Sequence, residues 1–341
     1  MDLKRIKLTL FILLLSLLKI PLSQSKTLFN YKRPLNIELE LNLSKLLLKE
    51  KSYYWKEGGK KFLEANILFS NKGKKQKKAI LIQNGGGLNF YDNLPPLILK
   101  FNKPKFKETI FGSFKELTLI THGDINSGKV SKIINHYLAY KQFSLLSPFS
   151  YKVRLVKIVY KDTSKRLKKF IGWGFFLEPK NDILRRFPFK RVPSTKNYLA
   201  GKLDNKQTAL LHAFNFFIQD RERFKIINGS YKTNRTDFFT FNFHSVLPIP
   251  FDFSRSVMYW IGSRPAQELN YIMETAFAKS NWLKYPGLRY IELKRAFYLI
   301  KGKKNELKRL YMDPHLPLEK KHRDAYLNYV NFFFAFLQKR I

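Results

Sequence analysis

The sequence predicts an α+β protein, β-rich to about residue 125 and helix-rich after it, with strand pairs inside the helical part. Three observations predict this. LNIELELNLS (Leu35 to Ser44) alternates apolar and polar residues with period two, the pattern of a half-buried strand. Between Lys129 and Pro148 the period lengthens to that of a helix. Beyond residue 262 the helical pattern holds to the C-terminus.

The elements follow in order. AILIQ (Ala79 to Gln83) and PLILKF (Pro96 to Phe101) read as short strands, separated by the loop NGGGLNFYDN. The lysine-rich stretch from 72 to 78 reads as a turn. ELTLITHGD (Glu116 to Asp124) is a strand running into a turn. In the next helix Val130, Ile133, Ile134, Tyr137, Leu138 and Leu145 form the apolar stripe, and Pro148 stops it. YKVRLVKIVYKDT (Tyr151 to Thr163) alternates again, and GWGFFLEP (Gly172 to Pro179) matches it as a hairpin partner. KQTALLHAFNFFIQD (Lys206 to Asp220) is apolar enough to be a buried helix. FFTFNFHSVLPIPFDFS (Phe238 to Ser254) holds two strands, with Asp252 at the end of the second.

Composition narrows the function classes. Lys4, Arg5 and Lys7, the apolar run Leu8 to Leu18 and the small residues of Ser23-Gln24-Ser25 have the layout of a signal peptide over 1–25. The competing reading is an uncleaved N-terminal anchor. No later stretch is long and apolar enough to span a bilayer. The expected location is therefore export: periplasm, cell envelope or beyond. With 64 Lys+Arg against 25 Asp+Glu the net charge is +39, which attracts polyanions. Joint enrichment in Lys, Phe, Ile, Asn and Tyr, all A/T-rich in codon, explains the same charge without any partner. There is no cysteine, which excludes disulfides, thiolate metal sites and cysteine nucleophiles. The six histidines form no HxxxH or HExxH pair, and neither GxSxG nor a P-loop occurs.

Three stretches carry candidate chemistry: QNGGG (Gln83 to Gly87), QDRERFKIING (Gln219 to Gly229) and PIPFDFS (Pro248 to Ser254). Glycines at a strand end let phosphates approach the backbone. An acid, then an Asn, then a strand-end Asp is the order that phosphoryl transfer uses for base and Mg²⁺ ligands. The plainer readings are a flexible turn for Gly85, Gly86 and Gly87, a surface loop for Asp220 and Glu222, and a turn-capping role for Asp252.

NLPPLILKF, LTLITHGD, HYLAYKQFSLLSPFSYKVRLVKIVYKDTS, GWGFFLEP, FNFFIQD and PIPFDFS together resemble the exported bacterial branch of the CotH-type kinase-like proteins. The resemblance runs from about residue 28 to the end and is densest from 93 to 256. It implies a two-lobed atypical protein-kinase-like fold, with a β-rich N-lobe (26–125) and a helix-rich C-lobe (126–341). It places the catalytic acid at Glu222 or Asp220 and the metal ligands at Asn228 and Asp252. The phosphate loop falls at Gly85 to Gly87, and Lys115 is the lysine nearest the nucleotide-binding position. Departures imply a degenerate site. Gln83 replaces an arginine, Thr118 stands where relatives tend to carry lysine, and His136 replaces that lysine's glutamate partner. Phe-Asp-Phe-Ser keeps one aspartate of two. The expected function is binding or structural, in the envelope, with an envelope or exported protein as partner and no cofactor. The alternatives are an active ATP- and Mg²⁺-dependent kinase of exported proteins, and a basic protein that docks on anionic lipid or nucleic acid.

Overall fold

A computed structural model describes residues 26–47, 62–85, 94–121, 130–192, 198–199, 202–220, 225–227, 230–232, 235–240, 245–256, 264–279 and 289–340. The signal-peptide reading of 1–25 lies outside them.

Seven strands close a barrel in the order β1-β2-β3-β4-β5-β7-β6. They are β1 (Leu35–Leu41), β2 (Leu63–Asn71), β3 (Lys74–Asn84), β4 (Leu97–Lys100), β5 (Glu116–Ile120), β6 (Val153–Asp162) and β7 (Phe170–Leu177). Alternation sets which residues face inward. Ile37 and Leu39 of β1, Ile67 of β2, Ile82 of β3, Leu99 of β4, Leu119 of β5 and Ile158 of β6 belong to one buried cluster. Every neighbouring pair is antiparallel except the one that closes the barrel: β1 lies parallel to β6, with Leu35 beside Val156 and Leu39 beside Tyr160.

Helices follow the chain as α1 (Lys26–Asn30), α2 (Leu43–Leu47), α3 (Lys103–Phe106), α4 (Val130–Leu146), α5 (Lys180–Arg186), α6 (Asn205–Phe217), α7 (Ala266–Lys279), α8 (Tyr290–Gly302), α9 (Lys304–Tyr311) and α10 (Lys320–Arg340). The short strands β8 (Lys190–Val192), β12 (Thr236–Thr240) and β13 (Val246–Pro250) form one small sheet. Strands β9 (Tyr198–Leu199), β10 (Lys225–Ile227) and β11 (Ser230–Lys232) form another. A second buried cluster joins α4, α6, α8 and α10 through residues such as Leu138, Phe143, Phe214, Phe297 and Phe333. Helix α6 is buried from Gln207 to Phe217, as its apolar sequence predicts, and Asp204 caps it by accepting from the Gln207 N–H at 2.8 Å.

The two-lobed kinase-like fold with an open N-terminal sheet is not what the chain adopts. The barrel is closed, and two of its strands, β6 and β7, come from beyond residue 125. The physical reason lies in those two strands. An open sheet would leave the edge of β1 unpaired; β6 covers it. The β6–β7 hairpin also has two apolar faces. Val156 and Phe176 join the barrel cluster, whereas Val153, Leu155 and Phe175 join the helical one. The hairpin is thus a shared wall between the cores.

At the far end of the β1–β6 seam Asp162 ties the crossing together. Its carboxylate accepts from the N–H groups of Leu43, Ser164, Arg166 and Leu167 and from the Ser164 hydroxyl. Burial alone pushes this carboxyl up, but the hydrogen bonds from Ser164, Leu167 and Leu43 outweigh it and hold the group at about 2.

Candidate functional site

The residues that the sequence singles out meet only in part. Asp252 follows β13 with φ +55, a left-handed conformation that aspartate tolerates because its carboxylate bonds the local backbone. Its Oδ1 accepts from the Ser254 N–H at 3.1 Å. The segment around it is pinned at successive amides. Phe251 N–H donates to the Arg235 carbonyl, Asp252 N–H to the Tyr140 hydroxyl at 2.7 Å, and Phe253 N–H to His136 Nε2 at 3.0 Å. His136 and Tyr140 sit one turn apart on α4, so one face of that helix reads the whole turn. Phe253 is buried beneath them, its ring 4.8 Å from Tyr140 and 5.6 Å from Phe214.

His136 Nε2 also lies 3.7 Å from Asp252 Oδ1. The lone pair on Nε2 is already engaged by the Phe253 N–H. Nε2 thus serves as an acceptor for the turn, and Asp252 lies beside it without a hydrogen bond from that nitrogen. The capping role and the strand-end position of Asp252 both hold, and its carboxylate keeps about a fifth of its surface exposed.

Asp220 is buried, and both its oxygens face Arg235, at 2.7 Å from Nη2 and 2.9 Å from Nη1. The pair links the end of α6 to the start of β12. Because the Arg235 carbonyl also receives the Phe251 N–H, the pair reaches the Asp252 turn through one residue. Glu222, Asn228, Gly86 and Gly87 lie outside the described residues.

Gly85 and Lys115 stand at opposite ends of β4. Gly85 N–H donates to the Pro96 carbonyl at 2.7 Å, and the Lys115 carbonyl accepts from Phe101 N–H at 2.9 Å. A Cβ on Gly85 would lie 3.1 Å from the Pro96 oxygen, so glycine serves close strand approach there. The Lys115 side chain is exposed. The structure does not bring these two into one nucleotide site.

One acid escaped the sequence reading. Asp237 of β12 is buried and accepts from the Tyr151 hydroxyl at 2.5 Å and from Lys180 Nζ at 2.6 Å. Burial, then the neighbouring Asp237 charge, pushes the Tyr151 phenol far up, so it stays a hydrogen-bond donor. Lys180 also lies 5.0 Å from the Phe251 ring centroid. Beside it Glu178 accepts from Lys152 N–H and Arg186 Nη2; burial raises its affinity for a proton and Arg186 opposes that. The signal that could have found Asp237 is the one that found Asp252: an acid inside an aromatic strand must have partners.

A cavity of about 1090 Å³ is walled by Leu146, Phe149, Phe189, Leu210, Leu247 and Leu299. Among the described residues no group of three or more His, Asp or Glu side chains could hold a metal ion, and no helix is long and apolar enough to cross a membrane. Compared with protein-family models, curated proteins and solved structures, the chain matches none of them.

Proposed function

We propose that this chain is an exported binding protein of the cell envelope, related in sequence to the CotH-type group, that docks on an anionic lipid surface and does not transfer phosphate. One observation carries the reading. Asp220, the described candidate for the catalytic base, has both carboxylate oxygens on a buried arginine. A general base must reach the proton it abstracts, and this one is enclosed. The charge balance supports the partner class. Buried acids are paired with basic side chains: Glu40 with Lys77 and Lys161, Glu178 with Arg186, Asp237 with Lys180, Glu292 with Arg289 and Arg295. The chain as a whole carries a net charge of +39. Lipid is favoured over nucleic acid because an exported protein meets anionic headgroups.

Co-sedimentation with phosphatidylglycerol vesicles tests this. Binding is expected to exceed that to phosphatidylcholine and to fall on the order of tenfold between about 50 and 200 mM salt, as displaced counterions return. Equal binding to both lipids, insensitivity to salt, or a preference for duplex DNA at matched phosphate contradicts it.

A further inference from the structure

We propose that Arg154, Lys141 and Lys32 form a binding site for a phosphate-type dianion at the N-terminal end of the β1–β6 seam. The inference deepens the anionic-partner reading and rests on it.

Arg154 is the second residue of β6 and stands opposite Phe176. It precedes the first β1–β6 pair, Leu35 beside Val156, and so stands at the end of the wall shared by the two cores. Arg154 is only 7% exposed, and its Nε and Nη1 have no hydrogen-bond partner among the described residues. A buried guanidinium in that state is costly, and folded proteins almost always supply an acceptor. The guanidinium lies 5.3 Å from the Tyr31 ring centroid. That contact attracts the cation but gives its N–H groups no oxygen.

Two lysines stand on segments that reach Arg154: α4, which carries the half-buried Lys141, packs against β6, and Lys32 directly follows Tyr31. Consistent with that placement, Lys141 loses proton affinity first to burial and then to the charges of Lys32 and Arg154, with Asp313, after α9, pulling the other way. Tyr137, one helical turn before Lys141, is pushed up to about 12, chiefly by burial, with Arg154 opposing and Asp313 assisting. Its hydroxyl is thus a donor at neutral pH. Among the described residues named here, the three cations outnumber the one carboxylate, Asp313, and leave a local positive excess. A phosphate dianion matches that excess, and its oxygens satisfy donors that the fold leaves bare. A free phosphate ester and a phosphatidate headgroup present the same chemistry.

Calorimetry on the intact chain with inorganic phosphate, against chloride at matched ionic strength, tests the site. The expected result is saturable binding, weakened at least about tenfold by Arg154→Met and by Lys141→Met and unchanged by Lys75→Met on the exposed β2–β3 hairpin. Without ligand, Arg154→Met is expected to melt no lower than the parent, since it removes an unpaired buried charge. Should Arg154→Met fail to fold, Lys141→Met decides. Phosphatidate vesicles that compete with phosphate in the parent, and not in the variants, assign the headgroup as source; phosphate binding without such competition assigns a free ester. No saturable binding, or equal weakening by Lys75→Met, overturns the site. If vesicle binding stays salt-sensitive while the phosphate response is absent, the site fails alone; if both vanish, the anionic-partner reading fails with it.

Discussion

Arg235→Ala is expected to destabilise the protein by about 3–5 kcal/mol, because it takes two charge-assisted hydrogen bonds from a buried carboxylate. Removing Asp220 is expected to cost a similar amount, by taking the same two bonds from a buried guanidinium. The pair joins the end of α6 to β12, and the Arg235 carbonyl also holds the Phe251 amide. Loss of the pair should therefore loosen the turn at Asp252 as well. The double replacement Asp220→Leu with Arg235→Met is expected to recover most of the loss, since an apolar pair of similar volume removes both desolvation costs. Urea denaturation reads this as a lower midpoint for each single variant and a restored one for the double. A catalytic base with no structural duty would give the opposite: Asp220→Ala would leave the midpoint where it was.

Phe253→Ala should have a comparable effect, about 3–5 kcal/mol, for a different reason. The ring is 1% exposed and packs against Tyr140, Phe143 and Phe214, at the point where α4, α6 and the segment after β13 converge. Truncation leaves a cavity among aromatics that cannot collapse, since the flanking amides stay tied to His136 and Tyr140. Phe253→Leu is expected to cost well under half as much. Thermal melts of the two variants check this, and equal melting temperatures for parent and Phe253→Ala would mean that the turn is not anchored as described.

Much of the local structure was legible because it is local. The alternation of β1 and β6, the β6–β7 hairpin and the stripes of α4 and α6 are written in neighbouring residues. Barrel closure was not, because the parallel β1–β6 pairing joins residues about 120 apart with no sequence signal of its own. Strand β3 was misread for a related reason. Lys74 to Lys78 have the composition of a turn, yet pairing with β2 makes them part of a strand. Strand β2 went unread although Ala65, Ile67 and Phe69 alternate inward.

The candidate site divides the same way. Asp252 was visible as an acid set between aromatics, and its neighbour His136 was singled out at the start of a helix. That the two meet is a tertiary fact. Asp220 was visible as a carboxylate but not as half of a buried pair, because Arg235 is one of 64 basic residues and nothing local distinguishes it.

The most direct test of binding without phosphoryl transfer is a thermal melt of the intact chain with millimolar ATP, with and without Mg²⁺ or Mn²⁺, repeated on Asp252→Asn. Asparagine keeps the acceptor for the Ser254 amide and tolerates the left-handed backbone, so the variant removes charge and little else. The account predicts that any stabilisation by ATP is that of an anion: not increased by the metal, and the same in the variant. A rise in melting temperature that requires Mg²⁺ or Mn²⁺ and disappears in Asp252→Asn would contradict it, and would return Asp252 to the role of a metal ligand.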